Sequence, residues 1–123
     1  MEITRIGYQK ALNSYLPRKY PFVERVDITK GPGIKMGMFI CNLNVTTKEG
    51  FYKRIKGECK ERFKEGDVIG FWPFIQCFGK NYDIIGFEKD IQMIYTELTG
   101  LKSIARDITI KFELRWNWFW LKN

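Results

Sequence analysis

Lys53, Lys60 and Lys64 are separated by seven and four residues, a spacing that places three ammonium groups on one face of a helix. No carboxylate shares that line, because Glu58 and Glu61 fall toward the flank where Arg54 and Arg62 can pair with them. Gly57 lies among the lysines, with Lys56 beside it, and leaves a flat place where a phosphodiester backbone can approach. Two further basic groups occur upstream. Lys30 and Lys35 bracket the "GPG" stretch, and Arg18 and Lys19 precede Tyr20 in "PRKYP". Cations beside a ring are the mixture single-strand binders use, the charges tracking phosphates while the ring stacks on a base. Trp120, near the end of an aromatic-rich segment, is a second candidate for stacking.

Other chemistry is poorly supplied. The chain contains no histidine, which removes the commonest general base and metal ligand. Ser14 and Ser103 are the only serines, and neither lies in a G-x-S-x-G elbow; "GPGIKMG" is not a phosphate-binding glycine loop. A metal-dependent nuclease could use Asp67, Asp83, Glu88 or Asp107, and "ECK" at 58–60 has the E-x-K form, but three residues on a solvent-facing helix are weak support. Cys41, Cys59 and Cys77 stand far apart without a C-x-x-C pair, so they read as small core hydrophobes of a reducing compartment. The expectation is a non-enzymatic protein without metal or cofactor.

The totals agree with a binding role. Lys and Arg number 21 against 14 Asp and Glu, and the excess is confined to residues 1–64, which hold 14 basic and 6 acidic side chains. Residues 65–123 carry 7 against 8. Such asymmetry favours an acidic partner. Nucleic acid, DNA or RNA, is the first expectation; the alternative is a small viral or mobile-element module that docks on an acidic protein. The opening "MEITRIGYQK" lacks an apolar leader, and the longest apolar stretch, 68–78, is interrupted by Pro73 and Gln76. A soluble cytoplasmic protein without membrane contact is therefore expected, tryptophans and lysines being placed on separate elements.

The elements that must position these residues fit one domain over residues 1–123. "TRIGYQKALNSYLP" predicts a helix capped by Thr4 and stopped by Pro17. "PFVERVDI" and "MFICNLNV" predict a strand pair around a flexible "TKGPGIKMG" loop, with Phe39, Cys41, Leu43 and Val45 facing inward. Thr46, Glu49 and Gly66 bracket a helix whose apolar side is Phe51, Ile55, Cys59 and Phe63. "DVIGFWPFIQCF" and "YDIIGF" read as two strands about a tight turn, Pro73 marking an edge or bulge, and "DIQMIYTELTG" as a short helix from Asp90 to Gly100.

From Asp107 the even positions run Ile108, Ile110, Phe112, Leu114, Trp116, Trp118, Trp120, predicting a long last strand. The sum is an α+β domain, a mainly antiparallel sheet of about five strands with two or three helices on one face. An OB-like β-barrel is the alternative, pairing "GFYKRIKG" with "FKEGDVIGF".

Overall fold

The structure is a computed structural model that describes residues 3–51, 63–64 and 66–114. The expected helix through residues 52–62, with Lys53, Lys56 and Lys60, lies outside the described residues, as do Trp116, Trp118 and Trp120.

Helix α1 (Arg5–Lys19) begins where Thr4 Oγ1 accepts the Gly7 N–H at 3.0 Å and buries Tyr8, Leu12 and Leu16. It runs through Pro17 instead of stopping there. A proline in the last turn forfeits only its own N–H bond, and the Tyr20 N–H still donates to the Leu16 carbonyl at 2.7 Å.

Strands β1 (Val23–Lys35) and β2 (Met38–Thr47) form the expected antiparallel hairpin. The "GPG" stretch is strand, not loop. As the edge strand, β1 accommodates a residue with no N–H to donate, and register shifts after Ile28 and Lys30 absorb the irregularity. Gly31 is required here, since its φ is +85° and a Cβ would come within 2.6 Å of the Ile40 carbonyl oxygen. The turn itself is Met36–Gly37, both at positive φ.

Strand β3 is short (Val68–Gly70), and the expected strands beyond it are instead helix α2 (Phe71–Tyr82), ended by Asp83 at φ 51°. Pro73 stands in its first turn, where the helix requires no N–H. Phe71, Phe74, Phe78 and Tyr82 then fall on the core side at helical spacing. Helix α3 (Phe87–Thr99) starts three residues before Asp90, which is buried in its first turn rather than capping it; Gly100 closes the helix in the left-handed conformation, as expected.

Strand β4 (Ala105–Glu113) pairs parallel with β2 and antiparallel with β3, giving the order β1-β2-β4-β3. Among the described residues the sheet is therefore open and mixed, with four strands where about five are expected; two of its three pairings are antiparallel, and the α+β architecture is as expected.

The three described helices contribute to one core on one face of the sheet. Phe112 lies near its centre, stacked on Phe74 at 3.9 Å between ring centroids and flanked by Phe22, Phe71 and Phe87. Cys41 is a free thiol in this core. Cys77 is half-buried and disulfide-bonded. Among the described residues no helix is long and apolar enough to cross a membrane.

Candidate nucleic-acid interface

Because side chains alternate across a strand, burial of Phe39, Cys41, Leu43 and Val45 turns Ile40, Asn42 and Asn44 to the face opposite the described helices. The same parity on β4 buries Ile110 and Phe112 and turns out Asp107, Thr109 and Lys111. The parallel register then joins the two sets, setting Asn42 opposite Thr109 and Asn44 opposite Lys111. On the other side of β2, Lys30 stands opposite Asn42 and Asp27 opposite Asn44. The result is a shallow cavity of about 230 Å³ lined by Thr29, Asn42, Leu43, Asn44, Thr109 and Lys111.

Among the described residues no carboxylate lines this trough. Asp27, beside it, is held by Arg25 at 2.9 Å, and Asp107 stands one row away, opposite Ile40. The Thr29 hydroxyl donates to the Asn42 carbonyl at 3.3 Å. Among the described residues the Asn42, Asn44 and Thr109 side chains form no hydrogen bond, and Lys30 and Lys111 form no ion pair. Two amides, a threonine hydroxyl and two ammonium groups are thus available on one surface. Their shared capacity is donation to oxyanions.

Lys30 belongs to this surface, and Lys35 is exposed at the end of the same strand. Arg18 is exposed at the end of α1. Lys19 is held instead by Asp90 at 2.8 Å, a contact that raises its pKa. Tyr20 is not a stacking residue: it is 1% exposed, and its hydroxyl donates to Asp90 Oδ2 at 2.5 Å. Its basic neighbours suggest a surface ring, but it closes the end of α1 onto Phe87 and Phe22. Lys64 is exposed, and its backbone N–H donates to the Asp67 carboxylate.

Asp67, Asp83, Glu88 and Asp107 are distributed over separate elements, and among the described residues no three metal-ligating side chains converge. Burial raises the Glu88 pKa, with Arg106 acting in the opposite direction.

Sequence reasoning missed Trp72. It is 71% exposed on α2, two residues past Gly70, which stands opposite Lys111 in the β3–β4 ladder. An apolar run that reads as strand conceals it. Asn42, Asn44, Thr109 and Lys111 carry a signal, polar residues on the outward parity of two strands, but the register that unites them is not local. Comparison with protein families, with curated proteins and with solved structures found no match.

Proposed function

We propose that this is a non-enzymatic protein that binds nucleic acid through the open face of its sheet, without reading sequence. The observation that supports it is the trough whose Asn42, Asn44, Thr109 and Lys111 side chains have, among the described residues, neither a partner nor a carboxylate in the lining. Lys30 and Lys111 approach it from β1 and β4, two strand spacings and two residues of register apart, roughly 12 Å. They contact successive phosphates while the Asn42 and Asn44 amides donate to phosphate or sugar oxygens. Contacts of that kind position a strand and carry no base information. The open face has no aromatic side chain among the described residues, so stacking falls to Trp72 beyond its β3 edge.

The test is a titration of a labelled single-stranded oligonucleotide at several salt concentrations. Lys30→Glu with Lys111→Glu should weaken binding and lower the slope of log K against log salt by about 0.7 for each phosphate no longer neutralised. Trp72→Ala should cost about 1–3 kcal/mol of affinity with an unchanged slope. Unchanged binding in the lysine variant removes the open face from this reading. An acidic protein partner becomes the better account if the wild-type chain shows no oligonucleotide affinity.

A further inference from the structure

Two segments with no carboxylate between them meet at one end of the sheet. Residues 28–47 and 98–106 contain no Asp or Glu. They are joined where Met38 pairs with Ala105 and the Ile104 N–H donates to the Gly37 carbonyl at 3.3 Å. This contact sets the hairpin turn beside the loop between α3 and β4. Met36 at the turn is 95% exposed and Ile104 on the loop 100% exposed, with Met38 and Leu101 also uncovered. Lys35 and Lys102 flank them, both exposed and without an ion pair among the described residues. Arg106 is exposed as well, its guanidinium donating to Gln92 Oε1 at 3.0 Å.

Met36 is placed against its own preferences. A hairpin turn with positive φ at both central residues favours Asn, Asp or Gly at the first, and a side chain in water gains nothing by being apolar. Neither the turn nor the core accounts for a methionine here.

We propose that this end of the molecule docks on an anionic lipid surface, Met36 and Ile104 entering the headgroup boundary while Lys35, Lys102 and Arg106 face the headgroups. Side chains projecting from convex tips enter a fluid interface without a complementary pocket. The absence of carboxylates from these two segments lessens the repulsion that an anionic surface would otherwise meet. The sequence alone gives membrane contact no support, because its tryptophans and most of its lysines fall on separate elements. The residues that meet at this end are methionine, isoleucine and lysine.

The experiment is co-sedimentation of the full chain with vesicles of phosphatidylcholine alone and of phosphatidylcholine mixed with phosphatidylserine. Binding to the mixed vesicles should exceed that to the neutral ones and fall with added salt. Met36→Asn, which suits the turn, and Ile104→Ser should each lower partitioning roughly tenfold. Lys35→Gln and Lys102→Gln should each lower it about fivefold. Oligonucleotide affinity should be unchanged in Met36→Asn, so the two surfaces fail or succeed separately. Absence of binding to mixed vesicles, or Met36→Asn binding as wild type does, overturns the proposal. So does a wild-type dimer that Met36→Asn converts to monomer, because a second copy then covers the tip.

Discussion

Removing the Tyr20 hydroxyl tests whether that ring belongs to the core or to the binding surface. In the wild-type chain it donates to Asp90 Oδ2 at 2.5 Å, and Lys19 Nζ approaches the same oxygen at 2.8 Å. A hydrogen bond to a charged group contributes about 1.5–3 kcal/mol. In Tyr20→Phe the carboxylate keeps Lys19, so the destabilisation should lie at the low end, about 1.5 kcal/mol. Asp90→Ala leaves the buried hydroxyl without its acceptor and removes a negative charge from the first turn of α3. The orphaned hydroxyl costs about 1–3 kcal/mol and the missing interaction with the helix dipole a few tenths more, so roughly 3 kcal/mol is expected. Lys19→Gln should stay within about 1 kcal/mol, since that side chain is well exposed. Urea denaturation at constant m measures all three, and a double-mutant cycle of Tyr20→Phe with Asp90→Ala should give a coupling of about 1–2 kcal/mol. If Tyr20→Phe leaves the midpoint unchanged and weakens oligonucleotide binding, the ring acts at the surface and its place in the core is wrong.

Phe112→Ala empties the centre of the aromatic cluster and should cost about 3–5 kcal/mol, read from the same denaturation curves. Met36→Asn should raise stability by roughly 1 kcal/mol, since asparagine tolerates the left-handed turn position better; a lowered midpoint would contradict the turn geometry. Burial pushes the Cys41 thiol from 9.0 up to about 12 and holds the Tyr8 and Tyr20 hydroxyls well above 10.0. All three are favoured neutral by folding. The stability they contribute is full below their unfolded values and is lost as pH rises from about 9 toward the folded values. The urea midpoint should therefore fall above about pH 9, and Cys41 should resist thiol reagents at pH 8 until the chain unfolds.

What is legible in the sequence is what short-range periodicity determines. β2 and the later part of β4 each bury one face, so alternation marks their inward residues correctly; Thr4 and Gly100 have caps that follow from side-chain and backbone chemistry alone. Helix α2 is hidden because Phe71, Trp72, Phe74 and Ile75 crowd an aromatic run around Pro73, which suits a strand by composition. The passage of β1 through Gly31 and Pro32 is hidden because edge position, not composition, permits it. Lys30 is visible as a candidate. Its neighbours are not, since Asn42 and Thr109 become adjacent only through pairing of strands more than sixty residues apart.

That pairing also orders events during synthesis. β4 lies between β2 and β3 although it follows both in the chain, so the hairpin and β3 have no direct ladder to one another. Until residue 113 has emerged, the inner edge of β2 is unpaired and the aromatic side chains destined to surround Phe112 lack their central ring. Folding must then await the most distant contacts, which slows it and leaves an apolar strand edge open to other chains. Nascent protein should be most prone to self-association in this interval, and a chaperone that shields the β2 edge should improve its yield more than one acting on the finished fold.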